Sequence, residues 1–98
     1  MASTKEYRDF ILERLSKIPD IACRPMMGEF LLYSNGLLFG GIYDNRLLIK
    51  IIPENKPCNM PKEIPYPGAK PMYLIEDLDN KEKITKIINT TVKSLNKI

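Results

Sequence analysis

Histidine is absent from these 98 residues. That removes the commonest general base, the commonest metal ligand and every Ser-His or Cys-His nucleophile pair. Cysteine is scarce: Cys23 and Cys58 lie far apart, follow no metal-ligand spacing, and read as two unpaired thiols in a reducing compartment. Arg24 beside Cys23 would lower that thiol's pKa. No apolar run approaches the length of a membrane span. The opening segment MASTKEYRDF passes straight into a helical pattern without the apolar stretch and cleavage site of a signal peptide. These gaps predict a cytoplasmic protein with no metal, no cofactor and no membrane contact. Enzymatic chemistry is left to groups such as Glu29, Asp44, Lys50 or Lys70, and nothing pairs an activated nucleophile with a base. An enzyme is therefore the last-ranked reading.

What is present is a single small domain, residues 1–98, with 44% hydrophobic content and room for one modest core. The stretch Arg24–Ile52 reads as three strands. Asn35-Gly36 is the strongest short hairpin signal, and Asp44-Asn45 is a weaker one. Two-residue loops at these points set Tyr33 opposite Leu38, Leu32 opposite Phe39, Ile42 opposite Leu47 and Gly40 opposite Ile49. One face then carries Leu31, Tyr33, Leu38, Ile42, Leu47 and Ile49, with Glu29 at its rim. The other carries Phe30, Leu32, Phe39, Tyr43 and Leu48. Both are apolar, whereas a sheet with one solvated face should alternate. Either a helix or the long loop covers each face, or one face is a protein interface, a homodimer included, centred on Phe30, Phe39 and Tyr43. Gly40 and Gly41 make room for large neighbours or mark a bulge.

The flanks are helical. Ser3-x-x-Glu6 and Asp79-x-x-Glu82 have the form of capping boxes. The first helix carries Tyr7, Phe10, Ile11, Leu15 and Ile18 at helical spacing, with Arg14 a misfit on the apolar stripe whose guanidinium reaches water, an acid or an anion. The second carries Ile84, Ile87, Ile88, Val92, Leu95 and Ile98 on one stripe, with Lys83, Lys86, Lys93 and Lys97 opposite. Much of the net charge of +3 belongs to this last segment. Such a lysine face is usually a solvated one, and as a nucleic-acid surface it supports only weak, salt-sensitive binding.

Between strands and closing helix, six of eight prolines fall in residues 53–71. They forbid a regular helix and favour a rigid strap over one sheet face, anchored by Ile64 and Tyr66, with Tyr66-Pro67-Gly68-Ala69 as a type II turn. Met72–Ile75 supplies a fourth strand. The order α-β-β-β-loop-β-α predicts a two-layer α+β domain whose antiparallel sheet has about four or more strands.

Three segments carry a family resemblance: Arg24-Pro25-Met26-Met27-Gly28-Glu29, Gly40-Gly41-Ile42-Tyr43 and Gly68-Ala69-Lys70-Pro71-Met72. With them the chain resembles, over nearly its whole length, the N-terminal domain family of TfoX (Sxy), the regulator of natural competence. The resemblance implies a small antiparallel sheet with packed helices, and a non-enzymatic transcriptional coactivator that works through protein partners. The best-known members carry a further C-terminal domain, and the expectation is a single-domain member that ends with its closing helix. The family brings no catalytic residues.

At the motif positions, Arg24 and Glu29 flank a turn as a salt bridge. Arg24, Arg46, Lys50 and Lys70 form a cationic rim for an acidic partner or a phosphate. Met26 and Met27 either fill core gaps or form an adaptable binding surface. The functional expectation is a regulatory protein-binding module acting on the transcription machinery. The alternatives are weak nucleic-acid binding by the lysine face and a small homodimer.

Overall fold

Three two-residue turns organise the sheet. In the computed structural model, which describes residues 2–96, Met27-Gly28, Asn35-Gly36 and Asp44-Asn45 have positive φ at both positions: 50° and 86°, 52° and 79°, 52° and 54°. That is the φ signature of type I′ turns, whose twist matches the strands they join. Four strands follow as a meander: β1 (Ile21–Met26), β2 (Glu29–Ser34), β3 (Leu37–Ile42) and β4 (Leu47–Ile49). Two more, β5 (Lys62–Glu63) and β6 (Met72–Leu74), complete an antiparallel sheet in the order β1-β2-β3-β4-β6-β5. Helices α1 (Lys5–Arg14) and α2 (Lys81–Leu95) open and close the chain. The α+β architecture is the expected one. Strands β1 and β5 were not anticipated: β1 is an edge strand with Arg24 and Pro25 exposed, and β5 is only two residues long.

Both helices begin one residue later than their capping boxes suggest. The Thr4 hydroxyl accepts from the Tyr7 N–H at 3.1 Å, and the Asn80 side chain accepts from the Lys83 N–H at 3.1 Å. Ser3 is engaged elsewhere, its N–H donating to the Gly28 carbonyl at 3.0 Å. Lys97 and Ile98, placed on the closing helix by their spacing, lie outside the described residues.

A β-bulge decides which residues form the core. Tyr33 faces Leu38 as expected, but Leu32 then faces Gly40 rather than Phe39, and Phe30 faces Ile42. Phe39 is the extra residue. An extra residue reverses the alternation beyond it, so Ile42, Leu47 and Ile49 share a face with Phe30, Leu32 and Phe39. The expected division of the faces is corrected accordingly. Both helices pack on this one face: Ile11, Leu15, Ile84, Ile88 and Val92 join those six sheet residues in a single buried cluster. Burying each such side chain contributes about 1.5–3 kcal/mol.

Gly40 and Gly41 sit where the strands crowd. A Cβ on Gly40 would lie 2.2 Å from the Leu48 carbonyl oxygen, and one on Gly41 would lie 2.6 Å from that of Phe30 and 2.7 Å from the Tyr43 ring.

The opposite sheet face belongs to the proline-rich strap. Before it crosses, the segment forms a 3-10 turn, Pro53–Cys58, that packs against α2 and is held by the fully buried Asn55. That amide donates to the Lys50 carbonyl (2.9 Å) and to the Thr91 hydroxyl (3.0 Å) and accepts from the Ile52 N–H (3.1 Å), so its burial leaves no polar atom unpaired. The expected turn at Tyr66–Ala69 closes through an Ala69 N–H to Tyr66 carbonyl bond of 3.1 Å, with Gly68 at φ 86°. None of the described helices is long and apolar enough to cross a membrane.

Candidate partner-binding surface

The strap crosses the second sheet face beside the β1–β2 turn, and the two enclose an apolar cleft. Met26 and Met27 form one wall, Ile64, Pro65 and Tyr66 the other, with Tyr43, Glu29, Asp44 and Arg46 completing a volume of about 720 Å³. Three of the four large apolar side chains that stand exposed gather here: Met27 at 96%, Ile64 at 53% and Tyr66 at 53%. Met27 is also the one described residue with positive φ that is neither glycine, asparagine nor aspartate. Those types tolerate the left-handed region, whereas a longer side chain there is costly. An apolar residue thus occupies a turn position that favours asparagine or glycine on local grounds, and it projects into solvent.

Two polar knots fix the walls. Arg46 spans from the β3–β4 turn to the strap. Its Nε donates to the Tyr43 carbonyl (3.1 Å), its Nη1 to Glu63 (2.9 Å), and its Nη2 to the carbonyls of Ile64 (3.3 Å) and Pro65 (3.4 Å). Glu29 accepts from the Ser3 hydroxyl (2.7 Å) and from the Asp44 N–H (3.0 Å), and the Asn45 N–H donates to the same hydroxyl (3.0 Å). The knot ties the chain's start to the β3–β4 turn. Both charged groups named for partner capture therefore have intramolecular partners.

Other sequence-named residues fall in different places. Phe30 and Phe39 are not surface residues: both are buried, Phe39 completely, because their face is the one the helices cover, and the bulge adds Ile42, Leu47 and Ile49 to it. Tyr43 lies on the opposite face, buried against Tyr66 with ring centroids 6.2 Å apart. The three do not form one patch. Arg24 and Glu29 make no ion pair. Arg24 pairs in the ladder with Leu31 and Met26 with Glu29, so the two charges stand on different rungs. The Arg24 guanidinium lies instead 5.7 Å from the Tyr33 ring centroid.

The cationic rim also divides. Lys50 and Lys70 line a second cleft of about 700 Å³ on the far side of Tyr66, Arg46 lines the first, and Arg24 lines neither. Ile64 and Tyr66 are not the strap's anchors either, being more than half exposed; Arg46 and the buried Pro65 hold it.

On α2, Lys83, Lys86 and Lys93 are exposed, and Lys17 shares a shallow surface with Lys86, Lys93 and Glu82, while Lys97 lies outside the described residues. Arg14 reaches an acid, its Nε 3.3 Å from Glu13 Oε1, and its guanidinium lies 5.2 Å from the Phe10 ring centroid. Cys23 and Cys58 are unpaired. Burial pushes the Cys23 thiol above its ordinary pKa, with Arg8 the cation that opposes the shift, so the expected activation by Arg24 is corrected. Among the described residues no three His, Cys, Asp or Glu side chains gather as a metal site.

The chain is 30% identical over 80 residues to an "uncharacterized 12.7 kDa protein in trpE 5′ region" of Spirochaeta aurantia, a match spanning 80% of this chain and 70% of that protein. The chain belongs to the family of that spirochaete protein. No protein-family model matches it.

Proposed function

For this family member we propose a non-enzymatic, cytoplasmic regulatory module that docks a protein partner on the cleft between the β1–β2 turn and the strap. One observation carries the reading. Met27 holds an apolar side chain at 96% exposure in a backbone conformation that disfavours it. Neither folding nor solubility gains from that choice. Exposed apolar surface rimmed by polar groups is a common mark of protein interaction sites, and methionine adapts to irregular partners. Glu29, Asp44 and Arg46 supply the polar rim.

The regulatory part of the reading rests on the motif resemblance to the TfoX N-terminal domain, and the transcription machinery is the partner it suggests. The test is a nuclease-treated pull-down from native cytoplasm with the tagged chain and its Met27→Asn variant. Asparagine suits the left-handed turn position, so the variant folds at least as stably. A transcription factor or polymerase subunit held by the native chain and lost by the variant supports the proposal. Equal recovery by both places docking elsewhere, and recovery of the chain alone indicates a homodimer.

A further inference from the structure

We propose that the second cleft, on the far side of Tyr66 from Met26 and Met27, is a binding site for a small amphiphilic anion with an apolar body and one carboxylate. The inference does not rest on the docking reading: the clefts share the wall of Tyr43, Pro65 and Tyr66, but Met26 and Met27 line only the first and Lys50 and Lys70 only the second. Three features point to this ligand class. The cleft encloses about 700 Å³, within the roughly 300–1,000 Å³ of small-molecule sites. Its walls are largely apolar: Leu38, Ile51, Tyr66, Met72 and Leu95 all line it. Its charges are of one sign, because Lys50 and Lys70 are the only charged residues among those described that line it.

Each alternative ligand leaves part of this surface unused. Inorganic phosphate would meet the lysines but gain nothing from the apolar walls. A neutral hydrocarbon would fill the walls but leave the lysines without a counter-charge. A carboxylate on an alkyl or aromatic body uses both, with the ammonium groups making charge-assisted hydrogen bonds to its oxygens. Lys70 is held beside the cleft by the Tyr66–Ala69 turn, and Lys50 by its backbone, whose N–H donates to the Phe39 carbonyl at 2.9 Å and whose carbonyl accepts from Asn55. Lys50 is thus carried by hydrogen-bonded backbone, and Lys70 directly follows a closed turn.

The test is titration of the isotope-labelled full chain with decanoate, octanoate and decanol, followed by amide chemical shifts. Decanoate is expected to saturate, with the largest shifts at residues 50–52 and 69–72. Octanoate should bind about tenfold more weakly, since each buried methylene contributes about threefold to fourfold in affinity. Lys70→Glu, at an exposed position, should keep a native-like amide spectrum, weaken decanoate about tenfold or more and leave decanol unchanged. Decanol binding as tightly as decanoate, shifts confined to the Met27 side, or no saturation at millimolar decanoate would each overturn the proposal.

Discussion

Arg46 Nη1 lies 2.9 Å from Glu63 Oε1, and through this pair the β3–β4 turn holds the proline-rich strap across the sheet. The two side chains are 25% and 42% exposed, so the ion pair itself contributes at the modest end, roughly 0.5–1 kcal/mol. Arg46 does more, because it also donates to three backbone carbonyls. Arg46→Ala should cost about 1–3 kcal/mol and Glu63→Gln about 1 kcal/mol or less. Urea denaturation of both single variants and the double variant checks this. Equal costs for the two single variants would mean that the carbonyl contacts contribute nothing.

Glu29 gives a second prediction, one that separates a structural role from partner capture. Its carboxylate accepts one hydrogen bond from Ser3 and one from the Asp44 N–H. Glu29→Ala leaves that N–H and the Ser3 hydroxyl short of an acceptor, at a cost of about 1–3 kcal/mol. Amide exchange at Asp44 should accelerate in the variant. A variant of native stability with unaltered exchange would return Glu29 to the list of groups available to a partner.

The third prediction concerns the bulge. An alanine Cβ at position 40 would sit 2.2 Å from the Leu48 carbonyl oxygen and 2.9 Å from the Ile49 Cα. Both obstacles are backbone, so relief requires β3 and β4 to separate. Gly40→Ala should destabilise the fold by about 1–3 kcal/mol or more. Phe39→Glu, which places a carboxylate at a fully buried position, should abolish folding outright. A folded Phe39→Glu chain, seen by dispersed amide shifts, would contradict the core assignment.

These residues also mark how far the fold is legible in the sequence. Asn35-Gly36 and Asp44-Asn45 announce their turns because asparagine, aspartate and glycine accept positive φ, and the registers Tyr33–Leu38 and Ile42–Leu47 follow from loop length. A turn between Arg24 and Glu29 is legible, but methionine does not announce the positive φ that makes Met27-Gly28 a hairpin turn, so β1 goes unseen. The bulge at Phe39 is hidden for a different reason. Both faces are apolar, so a slip of one residue leaves no polar side chain in the core to betray it. Gly40 and Gly41 signalled crowding, yet not which neighbour was extra.

At the candidate site, Met26, Met27, Glu29 and Arg46 were visible as residue types. Their roles depend on Ser3 and Glu63, 26 and 17 residues away along the chain, and no spacing rule links them. The one available signal was an apolar residue placed before glycine at a turn.

Tyr43 carries the last prediction. Burial is the main cause that raises its phenol above the ordinary value of 10.0, with Tyr66, Glu29 and Tyr33 adding to the shift. Burial penalises the charged phenolate, and the Glu29 carboxylate would repel it. The folded pKa therefore exceeds the unfolded one. The stabilisation is present in full below the unfolded value near pH 10 and is lost as pH rises through the folded value, because the unfolded chain then releases the proton more readily. Ultraviolet titration of the native chain should show a late-ionising tyrosine that Tyr43→Phe removes. Tyr7, also raised by burial, remains as a second late component in that variant. The Tyr43→Phe chain should also lose less stability between pH 9 and pH 11 than the native one, both limits bracketing the ordinary tyrosine range near 10. A native titration in which every tyrosine ionises together at the ordinary value would show that the strap does not bury Tyr43, and with it that neither cleft has the wall that Tyr43 and Tyr66 supply.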